Sequence, residues 1–187
     1  MLTIGQKMPD FTMDVYHRGE IRKISSADFN GKWLVLVFYP GYETFVCPTE
    51  LEELAKSNER FSDIGAKILS ISRDNALDHK RWHESDERIS KIGYPMGSDE
   101  DGTVYKLFGI YTEDRLASPR ATYIFDPEGI LRVMDVHDNR VGRSVAEILR
   151  MLAAAVYVQL HAGEMCPEGW KPGKPTIHVV PEDLANG

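Results

Sequence analysis

Cys47 is the residue with the clearest chemical potential, because it stands between a short loop and a segment of helical pattern in the stretch FVCPTE. Pro48 suits the first position of a helix, and Glu50 supplies negative charge to its first turn. Unpaired backbone amides and the positive end of the helix dipole would then favour the ionised sulfur. A buried structural cysteine is the alternative on residue type alone. The position predicts a prepared nucleophile at Cys47.

The second cysteine, Cys166, lies in a stretch rich in glycine and proline near the end of the sequence. A cysteine oxidised to sulfenic acid can condense with another thiol before further oxidation destroys it, so a second thiol is useful to a reactive cysteine. A spare thiol in an exposed tail is the alternative. The sequence has no C-x-x-C, so we expect an outside reductant to recycle any disulfide that forms.

The composition argues against several classes of function. A formal net charge of -7 and a pI near 5.4, without any basic block, disfavour binding to nucleic acid. The first residues show no pattern of a secretory leader, and the apolar runs are too short to span a bilayer. We therefore expect a cytoplasmic protein without a membrane partner, in which a cysteine pair is more typical of catalysis than of a structural disulfide.

The segments around Cys47 predict an α/β sheet. The apolar run KWLVLVFY, at 32–39, has the pattern of a central strand that is buried on both faces. A helical pattern extends from Cys47 to about Asp63, and the run AKILSISR from Ala66 is again strand-like. The polar stretch 75–91 has the pattern of an exposed helix. This β-α-β-α order predicts parallel strands covered by helices.

Later segments predict an antiparallel edge, a long helix and a tail. Two strand-like runs, RATYIFD and GILRVMDV, flank turn residues at 127–129, as in a hairpin. Apolar residues at helical spacing over 143–161 predict the last long helix. Glycines and prolines punctuate the rest, which predicts an extended tail without regular structure. We therefore divide the chain into a domain over 1–162 and a C-terminal tail over 163–187.

Several motifs together resemble the typical two-cysteine peroxiredoxins over nearly the whole chain, and most closely the bacterial alkyl hydroperoxide reductase C group. The most specific is Pro40, Thr44 and Cys47 in the spacing P-x-x-x-T-x-x-C, followed by Pro-Thr-Glu. The others are PDF at 9–11, HKRW at 79–82, RAT at 120–122, GRS at 142–144 and EMCP at 164–167. The resemblance implies a thioredoxin-like α/β fold, with a central mixed sheet flanked by helices and a C-terminal extended tail.

The resemblance implies an antioxidant enzyme that reduces hydrogen peroxide and alkyl hydroperoxides. Cys47 would attack the peroxide as a thiolate and become a sulfenic acid. Cys166 of the partner subunit would then close an intersubunit disulfide with it. The implied partners are a second copy in a homodimer, which would assemble into a decamer, and a flavoprotein disulfide reductase or thioredoxin-like reductant. The chain itself would need no metal and no flavin cofactor.

Five further residues match positions around the reactive cysteine in that family. Thr44 would orient the peroxide and Pro40 would shield the thiolate, while Arg120 would supply permanent positive charge and several hydrogen-bond donors. Glu50 and Arg143 would form hydrogen bonds around this arginine. Without the resemblance, Arg120 has the pattern of a solvated surface residue, and Thr44 that of an ordinary loop residue.

Other features leave alternatives open. The loop departs from bacterial relatives at Gly41, Tyr42 and Glu43, which predicts altered loop mobility or substrate preference. His79 and His83 are spaced to share a metal, but a solvated helix face is the favoured interpretation. Two rival functions remain, that of a holdase chaperone and that of a thiol-disulfide oxidoreductase. The absence of a C-x-x-C motif disfavours the oxidoreductase.

Overall fold

The computed structural model of the chain describes residues 2–42 and 44–180. Contacts between Cα atoms divide the chain into two compact units, residues 1–145 and residues 146–187. The division after residue 162 that the sequence indicated stays a prediction. The strands of the first unit are β1 (Thr12–His17), β2 (Glu20–Ser25), β3 (Trp33–Phe38), β4 (Ala66–Ser72), β5 (Met96–Ser98), β6 (Arg120–Phe125) and β7 (Leu131–His137).

These strands form one mixed seven-stranded sheet in the order β2-β1-β5-β4-β3-β6-β7. Strands β3, β4 and β5 run parallel, with Val35 opposite Ile68 in the register of β3 and β4. All of β3 is buried, as its unbroken apolar sequence predicts. Strand β6 is antiparallel to β3, and β7 follows it at the edge of the sheet. The prediction of a mixed sheet with an antiparallel edge hairpin is therefore confirmed.

The helices are α1 (Cys47–Lys56), α2 (Asn58–Asp63), α3 (Ala76–Ser85), α4 (Thr103–Leu107) and α5 (Val145–Leu160). The prediction of one helix over 47–63 is wrong, because the backbone of Ser57 turns to φ -93° and ψ 0° between α1 and α2. Serine competes for backbone hydrogen bonds and so favours helix ends over interiors. The break coincides with the burial of Phe61 on α2. No helix within the described ranges is long and apolar enough to cross a membrane.

The N-terminal hairpin of β1 and β2 is an element that the sequence patterns did not reveal. Most of β2 is exposed, and its sequence EIRKIS gives little apolar alternation. Strand β1 joins the sheet by antiparallel pairing with the short β5, where Val15 lies opposite Gly97. A Cβ atom on Gly97 would lie 2.5 Å from the sulfur of Met13, so any larger residue here would force the Met13 side chain to move.

An aromatic cluster on the sheet holds the first unit together. Phe108, which follows α4, is fully buried, and its ring centroid lies 4.9 Å from that of Phe38 and 5.0 Å from that of Tyr123. Phe11 and Phe125 contact the same ring at 6.4 and 6.2 Å. Tilted and edge-to-face pairs of this kind add to the stabilisation from burial.

The second unit contains more order than the predicted tail. Strands β8 (Glu164–Met165) and β9 (Ile177–His178) pair antiparallel, so the prediction of no regular structure is wrong here. Between them Trp170 is buried, and its ring centroid lies 4.9 Å from that of Tyr157 on α5. Burial of this large side chain compensates for glycines and prolines that favour no regular structure themselves. The end of the predicted tail, 181–187, lies outside the described residues.

The aromatic cluster allows a stability test. We expect Phe108→Ala to lower the free energy of unfolding by about 3–5 kcal/mol, since a buried aromatic side chain is replaced by a cavity. Urea titrations followed by tryptophan fluorescence measure this. Leu77→Ala on α3, where the leucine is 55% exposed, is the control, and we expect a change within about 0.5 kcal/mol. Equal losses in the two variants would contradict the central role of Phe108.

Candidate active site

Cys47 is the first residue of α1, as the sequence predicts. A loop over 40–46 connects it to the buried strand β3, and Pro48 occupies one of the first helical positions. The side chain of Cys47 is completely buried. Cys47 therefore lies at the positive end of the α1 dipole, where a negative charge is stabilised.

Arg120 donates a hydrogen bond from Nη1 to Sγ of Cys47 across 3.2 Å. It is the first residue of β6, the strand next to β3, so the sheet itself brings the arginine to the end of β3 from which the loop leaves. Only 1% of Arg120 is exposed. Its Nε donates to the carbonyl of Asn139 at 2.7 Å, which fixes the plane of the guanidinium. The alternative of a solvated surface arginine is wrong.

Glu50 joins Arg120 to Arg143. Its Oε2 accepts from Nη1 of Arg120 at 2.8 Å and from Nη2 of Arg143 at 3.0 Å. Its Oε1 accepts from the backbone N–H and Nε of Arg143 at 2.6 and 3.1 Å. The three residues lie on α1, on β6 and just before α5, so the network ties together segments that are distant in sequence.

Burial of Glu50 opposes its ionisation and is the largest single influence on its pKa. The charge and hydrogen bonds of Arg143, followed by the charge of Arg120, outweigh it and leave this pKa below the ordinary value. The buried centre therefore contains two guanidinium groups and one carboxylate. One positive charge is left without a partner, and a thiolate at Cys47, in contact with Arg120, would neutralise it.

A cavity of about 280 Å³ opens beside this centre. Pro40, Thr44 and Arg120 are among its lining residues, together with Phe45, Val46, Leu116, Asn139 and Arg140. The hydroxyl of Thr44 donates to the carbonyl of Gly41 at 3.0 Å, which leaves its oxygen able to accept a hydrogen bond. The structure thus places Arg120 against both Cys47 and Glu50, and Arg143 against Glu50. Pro40 and Thr44 line the same cavity as Arg120.

Asp74 is a residue that sequence reasoning missed. It is 1% exposed, and its carboxylate accepts from the backbone N–H of Tyr42 at 3.0 Å and from Arg115 at 2.6 Å. A Cβ atom on Gly41 would lie 3.1 Å from this carboxylate, so glycine allows the loop to approach it. Asp74 therefore anchors the loop before Cys47. Its position just after a buried parallel strand was the available signal. Glu43 lies outside the described residues.

Burial raises the pKa of Asp74, and hydrogen bonding from Ser72 and the charge of Arg115 oppose this effect. The hydroxyl of Ser72 lies 2.7 Å from Asp74 and 2.8 Å from Nε2 of His79. Burial lowers the pKa of His79 to about 4, so this ring is neutral at pH 7. The prediction of a solvated helix face is wrong for His79, which has no exposed surface. Through Ser72, His79 helps to hold Asp74 in the position from which it anchors the loop.

The nearby His83 forms different contacts, with the hydroxyl of Tyr16 and the carbonyl of Ile92. Trp82, which precedes His83 on α3, packs against the rings of Tyr39 and Tyr42. Within the described ranges, no group of three or more histidine, cysteine or acidic residues is arranged to hold a metal ion.

Cys166 belongs to the second unit and directly follows β8. It is partly exposed, and its sulfur lies 3.9 Å from the carbonyl oxygen of Ala154. Partial burial raises the pKa of this thiol, and the charge of Arg150 opposes the rise. Cys166 and Cys47 are both free thiols. A raised pKa favours the protonated form of Cys166 at neutral pH, and a protonated thiol is a poor nucleophile.

The ion network around Glu50 has a pH-dependent contribution to stability. We expect Glu50→Gln to lower the free energy of unfolding by about 3 kcal/mol at pH 7, because two buried guanidiniums lose their carboxylate. The lowered pKa of Glu50 in the folded protein makes this contribution present above its unfolded value of 4.5, and lost as the pH falls through the folded value. Urea titrations between pH 7 and about pH 3 should show that the difference in free energy of unfolding between the variant and the parent protein becomes smaller as the pH falls.

Glu53→Gln is the matched control, since Glu53 is an exposed residue of the same helix. We expect little change in stability at any pH. If Glu50→Gln lost the same free energy of unfolding at pH 7 and at the acidic end of the range, the charge of Glu50 could not be the cause of the loss.

Comparison with known proteins adds an independent observation. A sequence profile described as the AhpC/TSA family matches residues 4–134, and one described as the C-terminal domain of 1-Cys peroxiredoxin matches residues 157–185. The chain is 38% identical over 177 residues to alkyl hydroperoxide reductase C of Salmonella typhimurium, which is 95% of each chain.

Solved structures give the same result. The crystal structure of AhpC from Enterococcus faecalis has a TM-score of 0.85 and 36% identity, and the match covers 89% of this chain and 100% of that one. The reduced 2-Cys peroxiredoxin of Plasmodium vivax has a TM-score of 0.86 and 29% identity, with coverage of 92% and 91%. The predicted thioredoxin-like fold is confirmed by these neighbours, and the chain belongs to the AhpC/TSA family of peroxiredoxins.

Proposed function

We propose that this protein is a thiol peroxidase that reduces hydrogen peroxide and alkyl hydroperoxides in antioxidant defence, with Cys47 as the attacking residue. The observation that carries the proposal is the 3.2 Å contact between Arg120 Nη1 and Cys47 Sγ in a centre with one unbalanced positive charge. The relatives named alkyl hydroperoxide reductase C support the choice of substrate.

In the first step, the Cys47 thiolate attacks the terminal oxygen of the hydroperoxide ROOH. A sulfur–oxygen bond forms, the oxygen–oxygen bond breaks, and the sulfur becomes a sulfenic acid while RO⁻ leaves and takes up a proton to become ROH. Arg120 donates hydrogen bonds that stabilise the charge on the departing oxygen. Thr44 holds the peroxide in line with the sulfur, and Pro40 restricts access of water from the cavity side.

In the second step, the thiol of Cys166 from a partner subunit attacks the sulfenic sulfur of Cys47, which forms a disulfide and releases water. The raised pKa of Cys166 supports this order, since a protonated thiol competes poorly for the peroxide. An external dithiol, either a flavoprotein disulfide reductase or a thioredoxin-like protein, then supplies two electrons and two protons to restore both thiols.

The same proposal includes a homodimer that assembles into a decamer, and a cytoplasmic location. A reducing compartment suits a disulfide that forms and is reduced in every cycle. The domain over 1–162 would then carry the attacking thiol, and the tail over 163–187 would carry the resolving one.

Cysteine variants test the assignment of the two thiols. We expect Cys47→Ser to abolish consumption of one equivalent of hydrogen peroxide, because a serine hydroxyl stays protonated and is a poor nucleophile. We expect Cys166→Ser to consume one equivalent and then stop, without a disulfide-linked dimer on a non-reducing gel. Stopped-flow peroxide consumption and gels measure both outcomes. Parent-like turnover by both variants would exclude the mechanism.

Arg120→Lys tests the importance of the contact between Arg120 and Cys47. Lysine keeps the charge but lacks the planar fork that reaches Cys47, Glu50 and Asn139 together, so we expect the rate constant with peroxide to fall by about 10²–10³-fold. The control is Arg140→Lys, which changes another arginine of the same cavity that pairs with Asp138. We expect its rate to stay within about threefold of the parent value. Similar losses in both variants would argue against a specific role of Arg120.

A further inference from the structure

A cavity of about 540 Å³ in the first unit lies away from Cys47. We call it the basic cleft and define it by its charged and histidine lining residues: His17, Arg18, Arg22, Lys23, Asp28, Lys32 and Lys67. These side chains come from the β1–β2 hairpin, the segment before β3 and the beginning of β4. Cys47 follows the opposite end of β3, about 20 Å away along a strand of this length.

The charge of the basic cleft is opposite to that of the chain. The whole sequence has 22 lysines and arginines against 29 acidic residues, whereas five cationic side chains and one carboxylate line the cleft. The carboxylate, Asp28, is engaged by the backbone N–H of Ser25 at 2.7 Å. Such a concentration of one charge in a concave site focuses the electrostatic field and attracts ions of opposite charge.

Most of these cations have no carboxylate partner. Lys23 pairs with Asp14 at 3.2 Å. Among the residues that the structure describes, no carboxylate lies within 4.0 Å of the other four cations, which are Arg18, Arg22, Lys32 and Lys67. Mutual repulsion of unpaired like charges destabilises a fold unless an anion compensates them.

The backbone of Arg18 has an uncommon conformation. With φ at +51°, Arg18 is the one residue other than glycine that the described part of the chain holds in the left-handed region. It begins the two-residue turn between His17 and Glu20, where asparagine or glycine is the favoured choice. This turn, which costs a residue other than glycine or asparagine conformational energy, presents Arg18 to the cleft.

His17 lies close enough to the cations of the cleft for their charges to affect its pKa. Its Nε2 lies 3.0 Å from the carbonyl of Gly93, so the neutral ring donates there and presents Nδ1 to Arg22 at 3.5 Å. Burial lowers the pKa of His17 most, the hydrogen bond to Gly93 opposes this, and the charges of Arg22 and Arg18 lower it further. The ring therefore stays neutral and holds Arg22 at the wall of the cleft.

We infer that the basic cleft binds an oligophosphate chain, carried by a nucleoside triphosphate or free in solution. A triphosphate has several closely spaced negative charges that match five cations, and the cleft volume lies within the range of small-molecule sites. The exposed hydroxyl of Ser62 and the half-buried amide of Asn58 at the rim provide further hydrogen bonds. The inference does not depend on the proposed peroxidase reaction, because no cleft residue takes part in it.

Calorimetry with inorganic tripolyphosphate tests the inference. We expect saturable binding of one tripolyphosphate per chain of the full-length reduced protein, with a dissociation constant below about 1 mM at low salt. Arg18→Asn, which suits the left-handed turn, and Lys67→Gln on an exposed strand position should each weaken binding about threefold to tenfold. Lys80→Gln, which removes a partly exposed cation of α3 that pairs with Glu84, is the control and should leave binding unchanged.

Two further measurements locate the ligand and identify its source. Bound phosphate should raise the pKa of His17 in NMR titrations, whereas the ring resonances of His178, in the second unit, should not move when tripolyphosphate is added. Binding of adenosine triphosphate more tightly than tripolyphosphate would indicate a nucleotide, and equal binding would indicate free oligophosphate. Absence of saturable binding, an equal loss with Lys80→Gln, or an unchanged His17 would overturn the inference.

Discussion

The buried ion network of Glu50 with Arg143 and Arg120 is the constraint on which the active site depends. Two guanidinium groups in an apolar interior are costly unless a carboxylate compensates them, and Glu50 compensates only one. The remaining charge lies against the sulfur of Cys47. Because the network joins α1, β6 and the segment before α5, the same contacts that orient the site also hold the sheet to its first helix.

The sequence was sufficient to predict the central part of the fold and the composition of the site. The unbroken apolar run of β3 and the helix start at Cys47 gave strong local signals, and the resemblance to the peroxiredoxins implied Thr44 and Arg120. That Arg120 is buried could not be read from its neighbours, because burial of a charged residue depends on partners that lie 70 and more positions away. Only the folded sheet brings those partners together.

The errors have a common physical cause. The hairpin of β1 and β2, the burial of His79 and the pairing of β8 with β9 are all decided by tertiary contacts that override local preference. Asp74 belongs to the same group, since its position after a buried strand points to a site but does not reveal its partners. Its importance comes from the loop and the arginine that fold onto it.

Complete enclosure of the Cys47 sulfur has a kinetic consequence. Two sulfur atoms must come within about 2.05 Å to bond, which a side chain with no exposed surface does not permit. Local unfolding around Cys47 must therefore expose the sulfur before any second thiol can react. The free energy of this local unfolding then governs how long an oxidised sulfur persists, and thus how often another oxidant molecule reaches it first.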